Sequence, residues 1–219
     1  MPSVRVKICG ITRVEDAEIA TKYGADAVGI NFVPSSPRYV DPRSVTPLLR
    51  AVPPLMAAVG VYVGQPLRQV LSQAHSIGIR GVQWYGDDRD SGDSFPSSLI
   101  FAFRIRDTQH LEDIDQFLHN CRDKGMLPGA ILVDAFVEGK MGGTGKIAPW
   151  ELLAGFRPGV PLILAGGLNP DNVGDAIRLV KPAGVDVASG VESSPGKKDP
   201  IKVRDFIANA RAASAEIAI

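Results

Sequence analysis

The stretch VKICGIT, residues 6 to 12, runs apolar and β-branched until it reaches Cys9 and then Gly10. A cysteine placed so is either a small buried hydrophobe or a thiol presented at the end of a strand. Only the thiolate is an effective base, and a free cysteine ionises near pH ~8.5, so the second role requires helpful surroundings. Asp134 closes its own apolar run, AILVD (130 to 134). Its carboxyl can cap a helix or, against apolar walls, take a raised pKa and serve as a general acid. Arg38 sits in SPRYV between a proline and a tyrosine, where its planar fork suits a carboxylate. Asp186 lies inside the apolar run GVDVAS (184 to 189), where a charge needs a partner: a ligand or a neighbouring strand. Gly166 and Gly167 follow another apolar run, and Ser189 with Gly190 follows the next. Glycines in such turns let backbone N–H groups approach an anion closely, which suits a phosphate.

The elements that must carry these residues repeat along the chain. Strand-like runs at 4–9, 25–32, 57–63, 81–84, 99–105, 129–134, 161–166 and 184–189 alternate with segments of helical period near 44–51, 66–77, 109–124, 170–180 and 199–213. Another helix should start at a capping box formed by Thr12 and Glu15, reach about Tyr23, and stop at Gly24. Continuous Val, Ile and Leu runs suit parallel strands buried on both faces. Eight of them, mostly separated by helices, predict a closed (β/α)8 barrel. The run GDDRDSGDSFPSS (86–98) has turn residues and no apolar period, so the fourth helix should be shortened or replaced by a loop. The glycine-rich segment around 137–146 should act as a lid. In such a barrel the active site lies where the strands end, which places Cys9, Arg38, Gln83, Tyr85, Asp134 and both glycine turns at one rim.

Bulk properties exclude several function classes. Lys plus Arg balance Asp plus Glu at 24 each, so nothing recommends nucleic acid or an anionic membrane as a partner. Two cysteines without CxxC spacing and three histidines fit neither a disulfide framework nor a metal site, and point to a reducing cytoplasm. The N-terminal apolar run is too short for a signal peptide, and no run approaches the ~18 to 20 residues of a membrane helix. Residues 1 to 219 are expected to form one domain. A monomer is the default expectation and a homodimer the alternative.

The order of motifs resembles that of the phosphoribosylanthranilate isomerase family. KICGIT, GADAVG (24–29), SPRYV (36–40), LVD (132–134), GGTGK (142–146), LAGGLNPDNV (164–173) and VDVASGVESSPGKKD (185–199) carry the likeness over almost the whole chain. The resemblance implies a TIM barrel that performs an Amadori rearrangement of a phosphorylated substrate in tryptophan biosynthesis, without cofactor or metal. It implies Cys9 as general base, Asp134 as general acid and Arg38 as the holder of the anthranilate carboxylate. Gly166, Gly167, Ser189 and Gly190 would receive the phosphate, while Gln83, Tyr85 and Asp186 would contact substrate. Two departures stand out: Gln83-Trp84-Tyr85-Gly86 where the family usually reads Gln-Leu-His-Gly, and Ile147-Ala148-Pro149-Trp150 where it reads Phe-Asp-Trp. A histidine-pathway Amadori isomerase would carry aspartate in place of Cys9. A silent phosphate-binding barrel would be expected to have lost the acid or the base.

Overall fold

Runs that are apolar on both faces must be covered on both faces, and parallel strands wrapped by helices achieve this. The computed structural model of the chain describes residues 3–86, 95–134 and 149–217. Its eight parallel strands close into a barrel in sequence order: β1 (Arg5–Cys9), β2 (Ala27–Asn31), β3 (Ala57–Val63), β4 (Gly81–Tyr85), β5 (Leu99–Arg104), β6 (Ala130–Asp134), β7 (Leu162–Ala165) and β8 (Gly184–Val187). Pairing of β8 with β1 completes the ring and leaves no free edge. Six α-helices are described: α1 (Val14–Lys22), α2 (Thr46–Ala51), α3 (Leu67–Ser76), α4 (Thr108–Asp123), α5 (Val173–Val180) and α6 (Pro200–Ile217). Among the described residues between β4 and β5, 86 and 95–98, there is no helix. Residues 87–94 lie outside the described residues, as do 135–148, and with the latter the predicted lid.

Alternation along each strand separates two apolar layers. Outward side chains such as Val6, Ile8, Trp84, Phe101 and Val133 pack with the helices in one large core. Phe101 is at its aromatic centre, with Phe117 at 4.7 Å, Phe103 at 4.9 Å and Trp84 at 5.1 Å between ring centroids. Inward side chains Ala102, Leu132 and Ala165, with Tyr85, Ile100 and Ile163, fill the barrel itself. Inward positions on β1, β4 and β8 are polar instead: Lys7, Gln83 and Asp186.

Local signals held in part. Gly24, at φ +83°, ends α1 as expected, a conformation that a side chain would strain. The capping box does not form. Arg13 occupies the cap position without a side-chain cap bond, and Thr12 Oγ1 donates instead to the Gly196 carbonyl at 2.6 Å. The Thr12 hydroxyl ties the first βα turn to the last, and the helix starts one residue later than the capping box requires. After β8 a 3₁₀ turn (Ser189–Val191) leads into a short antiparallel hairpin, β9 (Glu192–Ser194) and β10 (Lys197–Lys198), which sequence reasoning did not anticipate. No described helix is long and apolar enough to cross a membrane.

Candidate active site

The strand-end residues converge on a cavity of about 350 Å³ at the C-terminal rim of the barrel. Cys9, Arg38, Gln83, Tyr85, Asp134, Asp186, Gly166, Gly167 and Ser189 all line it. Register explains the convergence. Lys7 lies beside Asp186 across the β1–β8 seam, and Asp134 lies beside Ala165 across the β6–β7 pair. Cys9, two residues beyond Lys7, therefore faces inward at the rim.

Lys7 was not singled out from the sequence, yet it organises the floor of the site. Lys7 is 5 % exposed, and its ammonium donates to Asp186 Oδ1 at 2.7 Å and to Gln83 Oε1 at 2.8 Å. The partner that Asp186 requires is thus a neighbouring strand. Burial alone would lower the Lys7 pKa, but Asp186 and Cys9 outweigh it and hold the amine protonated. The same reasoning that flagged Asp186, a charge inside an apolar run, could have flagged Lys7.

The Cys9 thiol is pushed up, first by burial and then by the Asp186 charge, while Lys7 and Lys198 oppose both. Gly29 makes this crowding possible: a Cβ there would stand 2.6 Å from Cys9 Sγ and 2.9 Å from Lys7 Nζ. Tyr85 is raised by burial and stays a neutral phenol. Its hydroxyl accepts from Gln83 Nε2 at 3.3 Å, and the Arg104 guanidinium lies 5.3 Å from its ring centroid. Arg104 also lines the cavity and was missed in the sequence.

On the opposite side, Gly166 and Gly167 adopt φ +92° and +64° in succession. Trp150 Nε1 donates to the Gly166 carbonyl at 3.2 Å and Asn172 Nδ2 to that of Gly167 at 2.9 Å. With its carbonyls held by the protein, such a turn suits an anion through its N–H groups. Gly190 differs from the other three phosphate candidates. It is absent from the cavity lining, and a Cβ on it would collide with the Leu168 carbonyl oxygen. Its lack of a side chain lets the turns after β7 and β8 meet.

A barrel with a buried lysine–aspartate pair below a thiol, a carboxyl across the mouth and a glycine turn at its side belongs to the class of (β/α)8 enzymes that move protons on small phosphorylated substrates. Residues 6–209 match the family described as N-(5'phosphoribosyl)anthranilate (PRA) isomerase. The N-(5'-phosphoribosyl)anthranilate isomerase of Pelobacter propionicus is 39 % identical over 97 % of this chain and 98 % of its own. That of Geobacter metallireducens is 41 % identical over 95 % and 100 %. The crystal structure of the Thermotoga maritima enzyme is 36 % identical, with a TM-score of 0.80 over 95 % of this chain and 99 % of that one. A second solved phosphoribosyl anthranilate isomerase, in complex with reduced 1-(o-carboxyphenylamino)-1-deoxyribulose 5-phosphate, is 35 % identical with a TM-score of 0.78, covering 95 % of this chain and 99 % of its own. The chain belongs to the N-(5'-phosphoribosyl)anthranilate isomerase family.

Proposed function

We propose that this chain isomerises N-(5'-phosphoribosyl)anthranilate to 1-(o-carboxyphenylamino)-1-deoxyribulose 5-phosphate in tryptophan biosynthesis, with Asp134 as general acid and Cys9 as general base. The observation that carries this reading is the shared cavity, which sets Cys9 and Asp134 on one wall system with Arg38 and the Gly166–Gly167 turn. Asp134 gives a proton to the furanose ring oxygen, the C1'–O bond breaks, and the nitrogen lone pair completes an iminium. Cys9 then takes the C2' proton, and its bonding pair forms the C1'–C2' double bond of an enolamine. Return of a proton to C1' with loss of the enol proton yields the ketone. Atoms and electrons balance within the substrate, so two proton-transferring groups suffice.

Arg38 receives the anthranilate carboxylate in this reading, and Gly166, Gly167 and Ser189 receive the phosphate, with Gly190 supporting their turn. Gln83, Tyr85 and Asp186 line the same cavity, and in this reading they contact the substrate. The chain acts as one undivided unit in the cytoplasm. A monomer is our reading, although a Thermotoga maritima relative is described as dimeric.

The loss of anthranilate-type fluorescence, followed with substrate generated in situ, tests the roles. Cys9→Ala and Asp134→Asn should each lower kcat by about 10²-fold or more with an unchanged fold. A folded but inactive wild type would overturn the function, and variants as fast as the wild type would overturn the roles.

A further inference from the structure

The run VESSPGKKD, residues 191 to 199, takes no part in the proton transfers above, yet it buries two charges, Glu192 at 7 % and Lys198 at 1 % exposure. Buried charges persist only when paired and hydrogen-bonded. Here the partner is a cavity residue. Arg38 Nε donates to Glu192 Oε1 at 2.8 Å and Arg38 Nη2 to Oε2 at 2.6 Å, a two-pronged contact. Lys198 Nζ donates to Oε1 at 3.0 Å and the Gly196 N–H to the same oxygen at 3.3 Å. Lys198 also donates to the carbonyl of Ala188 at 3.1 Å, beside Ser189 on the cavity wall. Lys202 Nζ holds the Glu192 backbone carbonyl at 2.9 Å.

The stem of Arg38 is fixed as well. It packs over Gly10, the residue after Cys9, so closely that a Cβ on Gly10 would collide with its Cδ. The guanidinium thus meets the cavity with its Nε and Nη2 edge already engaged, and Nη1 takes no part in that pair. A loop arginine held this way is set in place before any ligand arrives, which is how binding geometry is obtained without loss of rotamer freedom on association.

We propose that Glu192 is a specificity-determining positioning residue: by clamping one edge of Arg38 it aims the guanidinium at the carboxylate of the substrate's aromatic ring, and through Lys198 it ties that aim to the phosphate turn. The inference rests on the reading above that Arg38 receives that carboxylate. A purely structural role, in which the ion pair only fastens the β9–β10 hairpin, predicts different results.

The full chain separates the two when assayed on N-(5'-phosphoribosyl)anthranilate and on the corresponding aniline adduct, which lacks the carboxylate. Glu192→Gln should raise KM for the anthranilate substrate about tenfold while kcat changes less than about threefold. On the aniline adduct its kcat/KM should stay within about twofold of wild type. Arg38→Met should raise KM for the anthranilate substrate, and adding Glu192→Gln to it should cost less than about a further twofold, because the two act as a unit. An unchanged KM, equal losses on both substrates, or full additivity would overturn the proposal. If circular dichroism shows that Glu192→Gln does not fold, Glu192→Asp keeps the charge with a shorter reach and should raise KM about threefold on the anthranilate substrate alone. Failure of both variants to fold would assign the cluster to structure and overturn the inference. A wild type inactive on both substrates would overturn the functional reading and this inference with it, whereas an active wild type with an unselective Glu192→Gln would overturn this inference alone.

Discussion

Cys9 illustrates how much of a residue's chemistry comes from one neighbour. Burial and Asp186 push its thiol up, which works against a base, and Lys7 is the stronger of the two cations that oppose them. Removal of that cation must raise the thiol further, because the thiolate loses the charge that favours it. Lys7→Met should therefore move the rising limb of the kcat/KM against pH profile to higher pH by about one unit or more, and depress the rate by about tenfold or more along the whole of that limb. Measured profiles with coincident limbs would show that Lys7 does not tune the base. The identities of Cys9, Asp134 and Arg38 as chemically capable groups were legible from residue type and strand-end position. The Lys7–Asp186 contact at 2.7 Å was not, because it spans 179 residues of sequence and depends on which strands close the ring.

Among the elements, the turns after β7 and β8 are brought together at a glycine, Gly190, that has no room for a side chain. Gly190 abuts the Leu168 carbonyl, and the backbone cannot yield without separating the two turns that flank the proposed phosphate site. Gly190→Ala should cost about 1–3 kcal/mol in stability by overpacking, measured by denaturant unfolding. It should also weaken competitive inhibition by the reduced product analogue, since Ser189 and Gly167 would move apart. Unchanged inhibition would confine Gly190 to stability. Local sequence rules did well where the chain answers only to itself: apolar runs became strands and Gly24 ended α1. They failed at Thr12, whose hydroxyl is drawn to Gly196, and at the β9–β10 hairpin, whose Glu192 and Lys198 are buried by pairing with each other and with Arg38.

For the molecule as a whole, the critical act is ring closure. At the start of β2, beside β1, Asp26 accepts from the Val6 N–H at 2.7 Å, from Arg5 at 2.8 Å and from Arg211 of α6 at 2.6 Å, which links the first strands to the last helix. Arg211 also donates to the Val4 carbonyl at 2.7 Å, and the Val4 N–H donates to Ser214 Oγ at 2.8 Å. Burial would raise the Asp26 carboxyl, but these donors outweigh it and hold it below the usual carboxylate range. A depressed pKa contributes stability above the unfolded value of about 3.9, lost as pH falls through the folded one. Asp26→Asn should be less stable by about 1–2 kcal/mol at pH 7 and show a shallower loss of stability below pH 4. An acid-unfolding curve parallel to that of wild type would contradict this account. Strand count, parallel pairing and the rim position of Cys9, Arg38 and Asp134 followed from the chain's own pattern, because burial on two faces and a repeated βα unit leave few ways to fold. The ionisation of Cys9, the clamp on Arg38 and the seating of Gly190 were decided in three dimensions, because each depends on distances between residues whose separation along the chain carries no record of their contact.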